Sequence, residues 1–196
     1  MSIKQLNASY LLNEDRILLR LNTADNSEYR LWMTRRVTLF ILVASQHLLA
    51  KKLEQEHSPE AAKALNAFEQ EAILEASKMA NAGAQEYVPG NHFPLGFDPL
   101  LVMEAACSWA QKSDSEKIPH AELPSGIVPG LSLDLLLAGG GKLNLQLVDS
   151  MMRAMCLLLD QLRQQAGWGE ASLIIQDGKS GSDDERERAT SRSSVH

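Results

Sequence analysis

Apolar and polar positions alternate in two separate stretches of the chain, and each stretch gives way to a helical period. In the first, Ile17, Leu19 and Leu21 alternate with Arg16, Leu18, Arg20 and Asn22. After the turn Ala24-Asp25-Asn26-Ser27, Tyr29, Leu31 and Met33 alternate with Glu28, Arg30 and Trp32. A period of two with a turn between its halves predicts a β-hairpin. Ile3 to Leu12 reads more weakly as a strand ahead of it. Thr34 is placed to cap a helix carrying two apolar stripes, one of Val37, Ile41, Ala44 and Leu48, the other of Leu39, Leu42, Leu49 and Leu53. A helix apolar on two sides needs two covers.

Ser58-Pro59-Glu60 combines an N-cap residue with a proline in the first turn, and so starts a second helix. Its expected inward face is Ala61, Leu65, Phe68, Ala72 and Ala76. From about Asn81 to Pro99 the prolines and glycines Pro89, Gly90, Pro94, Gly96 and Pro99 break regular structure. Tyr87, Phe93 and Phe97 are expected to pin this loop to the body. Leu101 to Trp109 alternates and is read as a strand, although a helix fits it nearly as well. After a polar stretch from Ser113 to Gly130, Leu131 to Leu137, Gly139-Gly140-Gly141 and Lys142 to Val148 form a second hairpin. Asp149 is placed to cap a last helix with Met151, Met155, Leu158 and Leu162 on its main stripe, and Gly167 stops it.

A shift of 114 positions superimposes the two hairpin-helix segments without a gap. Ile17, Leu19 and Leu21 fall on Leu131, Leu133 and Leu135, and Tyr29, Leu31 and Met33 on Leu143, Leu145 and Leu147. Two amphipathic hairpins align in this way with or without common ancestry, because apolar patterning reports period. The expected fold is α/β (α+β), with two β-hairpin-plus-helix units forming an antiparallel sheet covered by helices. The expected divisions are a first unit at 1–57, a helix and Pro/Gly loop insert at 58–99, a second unit at 100–175 and a disordered tail at 176–196, where apolar residues almost vanish.

Composition narrows the possible roles. The 196 residues are long enough to bury a core, and aromatic residues are only 5%, so the core is aliphatic. A net charge of −6 gives no general attraction to nucleic acid or anionic membrane. Cys107 and Cys156 lie far apart in apolar stretches and are expected to be buried reduced thiols. The first residues carry no basic segment followed by a long apolar one, so no secretory signal is expected, and Val37 to Ala44 is too short an apolar run to span a bilayer. A cytoplasmic protein without cofactor or metal is the expectation.

Candidate chemistry is sparse. Gly139-Gly140-Gly141-Lys142 lacks the length and the Ser or Thr of a phosphate loop, since Leu143 follows, and it reads as a turn. His47, His57, His92, His120 and His196 are scattered without ligand spacing. The pair His120 and Glu122 has no nucleophile beside it. The distinctive feature is the first hairpin's outward face, where Arg16, Arg20 and Arg30 accompany Leu18 and Trp32, with Arg35 and Arg36 at the next helix start. Arginine pairs with carboxylate or phosphate, and tryptophan supplies contact area. The plainer alternative places Trp32 under the Pro/Gly loop and pairs the arginines with Glu14, Asp15 or Glu28. The expected function is a non-enzymatic protein-protein interaction or adaptor module. Its partner is another protein or a second copy, engaged by the Arg/Trp face or the apolar helical insert. Single-stranded nucleic-acid binding through the same face is the alternative, and an enzyme of unrecognised type using His120, Glu122 or Asp134 comes third.

Overall fold

The computed structural model describes residues 3–82, 86–109 and 130–170. In chain order these form β1 (Ile3–Leu11), β2 (Arg16–Thr23), β3 (Glu28–Met33), α1 (Arg35–Glu56), α2 (Pro59–Ala82), β4 (Leu100–Trp109), β5 (Leu131–Leu137), β6 (Lys142–Leu147) and α3 (Asp149–Gln165). The protein is α+β, with the six strands in one mixed sheet in sequence order. The stretch from Leu101 to Trp109 is a strand. Residues 110–129, with His120 and Glu122, and the expected tail at 176–196 lie outside the described residues.

Neighbouring strands run antiparallel everywhere except at the centre, where β3 and β4 are parallel and share only the pairs Leu31↔Leu100 and Trp32↔Leu101. The expected all-antiparallel sheet is corrected here. Chain between Met33 and Leu100 crosses over through α1 and α2, and a crossover that long returns a strand in the same direction. Each unit therefore presents three strands in the same order and direction. The shift of 114 carries β3 onto β6 and the first residue of α1 onto that of α3. It does not carry β1 onto β4, because β1 turns directly into β2 whereas 21 residues separate β4 from β5. Common architecture is thus seen in the hairpins and helices.

One face of the sheet builds the core. Ile17, Leu19 and Leu21 of β2, Leu31 and Met33 of β3, Leu131, Leu133, Leu135 and Leu137 of β5, and Leu145 and Leu147 of β6 are essentially inaccessible. Each such side chain contributes roughly 1.5–3 kcal/mol relative to exposure. Over them lie α1, through Val37, Ile41, Leu42 and Leu49, and α3, through Met152, Met155, Leu159 and Leu162. Thr34 caps α1, its hydroxyl accepting from the Val37 amide. In α3 the cap is Val148, with no side-chain bond, so the expected Asp149 cap is not formed. Asp149 is instead the first helical residue, where its charge suits the helix dipole, and it pairs with Lys52 of α1. The buried stripe of α3 is turned by one position at Met152 and Leu159 from the expected Met151 and Leu158. Gly139 and Gly140, both at positive φ, make the tight turn between β5 and β6.

The end of α3 closes back on the first unit. The Gly167 and Trp168 amides donate to the Gln164 and Arg163 carbonyls, a Schellman ending. Trp168 is then buried edge-on against Tyr10, with ring centroids 5.7 Å apart, and its Nε1–H donates to Asp15 Oδ1 at 2.7 Å. No helix among the described residues is long and apolar enough to cross a membrane.

Candidate functional site

The outward face of the first unit carries Arg16, Leu18 and Arg20 on β2 and Arg30 and Trp32 on β3, as alternation from the buried Ile17, Leu19, Leu31 and Met33 requires. Cross-strand register sets Leu18 opposite Trp32 and Arg20 directly opposite Arg30. Two guanidinium groups facing each other repel unless each has other company. Residues 86–99 supply it by running as a strap across this face. Tyr87 lies under the Arg20 guanidinium at 4.9 Å, while Arg20 donates to Asn7 Oδ1 on β1. Arg30 sits against both Phe93 and Phe97, at 4.8 and 4.1 Å from their ring centroids, and donates to the Phe97 carbonyl.

Glu28 is the anchor of the strap. It is wholly buried, and one carboxylate oxygen accepts from Arg30 Nε at 2.7 Å while the other accepts from the Gly90 amide at 2.7 Å. A buried carboxylate is tolerated when it is paired and hydrogen-bonded in this way. The strap backbone is held further by Asn22 Nδ2 donating to the Val88 carbonyl and by the Glu28 amide donating to the His92 carbonyl. Gly90 is required by contact: a Cβ there would stand 2.6 Å from the Asn26 carbonyl oxygen. Burial, and then the Glu28 charge, push the Tyr87 phenol up to about 12. Its hydroxyl has no hydrogen-bond partner.

The seven arginine, leucine and tryptophan positions singled out in the sequence therefore divide. Arg20 and Arg30 hold the strap. Arg36 donates to the Met103 carbonyl at the bulge in β4, and Arg35 lies beside Asp15 and Gly169 near the exit of α3. Arg16, Leu18 and Trp32 remain on the face, all half-buried. Tyr87, Phe93 and Phe97 pin the loop as expected, and what they pin it to is the arginines themselves.

A second surface lies on α2. Its stripe of Ala61, Leu65, Phe68, Ala72 and Ala76, expected to face inward, is turned outward: Leu65 is 36% exposed and Phe68 69%. The inward side instead carries Ala62, Asn66 and Glu69. Arg153, projecting from α3, decides this orientation by donating to Asn66 Oδ1 at 2.7 Å and pairing with Glu69 at 2.6 Å. Removing that buried guanidinium from its partners is more costly than leaving one phenyl ring in water. Of the second stripe of α1, Leu42 and Leu49 are buried while Leu39 and Leu53 are half-buried, and Phe68 of α2 is the most exposed large apolar side chain on the described helices.

Among the described residues no cluster of His, Cys, Asp and Glu is arranged to hold a metal. His92 bonds Ser27, which donates to Asp25, and this places the serine between the imidazole and the carboxylate, the wrong order for an activated nucleophile. Asp134 accepts from Asn144 on the second unit's outward face. No family model matches the chain, and no curated protein or solved structure does so either.

Proposed function

We propose that this protein is a non-enzymatic interaction module that docks on another protein through the outward face of α2. The observation that carries the reading is Phe68, a large apolar side chain 69% exposed in mid-helix, with Leu65 and three alanines on the same stripe. Burying a phenyl ring and a leucine in a partner contributes roughly 1.5–3 kcal/mol each, and alanines on either side let another helix approach closely. Arg16, Leu18 and Trp32 offer a smaller second contact on the opposite side of the sheet. A reducing compartment such as the cytoplasm suits the two unpaired thiols. The common order and direction of the two three-strand units support an origin by internal duplication.

Nucleic-acid binding is the weaker reading, since Arg20 and Arg30 would have to leave Tyr87, Phe93 and Phe97 to reach phosphates. The test is recovery of the tagged full chain from its native cells, with and without nuclease, beside Phe68→Ser and Trp32→Ala. A protein partner kept by Trp32→Ala and lost by Phe68→Ser is the expected result. Recovery of nucleic acid that nuclease and Trp32→Ala both abolish would replace this reading with the other. Phe68→Ser touches an exposed side chain, so an unchanged circular-dichroism spectrum separates lost binding from lost fold.

A further inference from the structure

The two ends of the six-stranded sheet, β1 and β6, are built differently. At one end β1 is broken by a bulge between Ile3 and Gln5, carries Lys4 exposed at the break, and accepts the Val88 amide of the strap through its Gln5 side chain. Bulges, lysines and covering loops keep an edge strand from pairing with another chain. At the other end β6 runs from Lys142 to Leu147 in unbroken register with β5 and contains no proline. Its one charge, Lys142, lies next to the turn.

The Leu137 amide donates to the Gly141 carbonyl at 2.7 Å, which fixes the hydrogen-bonding phase of the β5–β6 ladder. Leu143, Leu145 and Leu147, at alternate positions from Gly141, therefore turn their N–H and C=O groups toward β5. Lys142, Asn144 and Gln146 turn theirs away from the sheet, and among the described residues no other element bonds to them. The side chains of these three residues are exposed, while the three leucines face the core. Asn144 gives both amide hydrogens to Ser132 and Asp134, so its side-chain oxygen is left to accept from outside the strand pair.

We propose that β6 pairs antiparallel with β6 of a second copy, about a two-fold axis at Asn144, joining the two sheets edge to edge. In this register Asn144 faces Asn144 and Lys142 faces Gln146, and each such pair exchanges both of its backbone hydrogen bonds. On the outer side the Lys142 ammonium of one copy lies diagonally across from the free Asn144 oxygen of the other, with the Asp134 carboxylate behind it. On the inner side Leu143 faces Leu145, which continues the leucine rows across the axis. The two lysines stand roughly 14 Å apart along the strands, farther than the screening length at physiological salt. Parallel in-register pairing would set them about 4.8 Å apart, so charge selects the antiparallel arrangement. A second copy supplies the complementary row by symmetry alone.

The experiment measures the mass of the full chain by sedimentation over a concentration series reaching about 500 µM, since a contact of two edge strands is small and associates weakly. Wild type is expected to approach twice the 21.6 kDa chain mass. Asn144→Pro removes the N–H at the axis, and Asn144→Lys sets two ammonium groups against each other there; both are expected to remain monomeric over the whole range. Phe68→Ser is expected to dimerise like wild type, which separates this edge from the docking stripe of α2. Asn144→Cys gives a reading that does not depend on the proline variant folding. Facing Cα atoms at the axis are about 5.5 Å apart, within reach of a disulfide, so this variant is expected to form a covalent dimer under oxidised glutathione. Lys142→Cys, roughly 14 Å from its counterpart, is expected to stay uncrosslinked, as is wild type. The proposal is overturned if wild type stays monomeric, if Asn144→Lys dimerises as well as wild type, or if Lys142→Cys cross-links and Asn144→Cys does not.

Discussion

The two units share an inward face and differ sharply outside. On the second unit, Ser132 and Asp134 of β5 face Gln146 and Asn144 of β6, and Asn144 satisfies its neighbours locally, donating to Asp134 at 2.6 Å and to Ser132 at 2.7 Å. Such short polar side chains need no cover. At the corresponding places the first unit has Leu18 and Arg20 facing Trp32 and Arg30, with the buried Glu28 beside them. Long cationic side chains facing each other, and a carboxylate out of water, make that face dependent on residues 86–99. One scaffold thus carries an outer surface whose polar side chains pair with one another and another that is held by a strap.

The contrast is most exposed to test at Glu28. Glu28→Ala removes the partner of Arg30, itself largely buried, together with the acceptor for the Gly90 amide. The expected loss is about 3–5 kcal/mol in urea unfolding, the usual consequence of breaking a buried pair. The 114-residue shift places Lys142 opposite Glu28, exposed on β6, and Lys142→Ala is expected to stay within about 0.5 kcal/mol. Equal effects at the two positions would remove the distinction between the faces. Trp168→Ala comes next, with an expected loss of about 3 kcal/mol from truncating a buried indole, because the first unit is also held from its other side by the end of α3. Gly90→Ala should cost about 1–3 kcal/mol, since its Cβ meets backbone that pairs with the strap. Gly141→Ala in the second hairpin meets only Leu137, at 4.0 Å, and is expected to be near neutral.

Much of this was legible in the sequence, and the gaps have identifiable causes. Alternation located β2, β3, β5 and β6, and Thr34 and Ser58-Pro59 marked the starts of α1 and α2. Periodicity tells which side chains share a face of a helix and leaves open which face turns inward. For α2 that choice is made by Arg153, 84 residues after Glu69, through a pair no local pattern reveals. A separation of 97 residues likewise hid the Lys52 pairing that occupies Asp149. Of the candidate face, the arginines and Trp32 were readable from the hairpin. Glu28 was readable only as a surface neighbour, since nothing local shows that the strap buries it. Trp168 lay beyond a correctly placed helix stop, and an isolated aromatic after a glycine carries no periodic signal.

The smallest effect on stability, and the most specific to the strap, belongs to Tyr87. Its phenol is pushed up to about 12 by burial and by the nearby Glu28 carboxylate, against 10.0 for an ordinary tyrosine. A group whose acid form is favoured by folding contributes stability that is fully present below its unfolded value and is lost as pH rises toward the folded one. The strap is therefore expected to loosen between pH 10 and about 12, as phenolate forms beside Glu28. Tyr87→Phe keeps the ring under Arg20 and deletes a buried hydroxyl with no partner, so at neutral pH it should be neutral to stabilising, by no more than about 1 kcal/mol. The variant should also lose the Tyr87 part of the alkaline transition, followed by phenolate absorbance beside amide exchange at Val88 and Gly90. If wild type and Tyr87→Phe lose protection at these amides at the same pH, the strap is held by Glu28 and the arginines alone, and the aromatic ring serves only as cover.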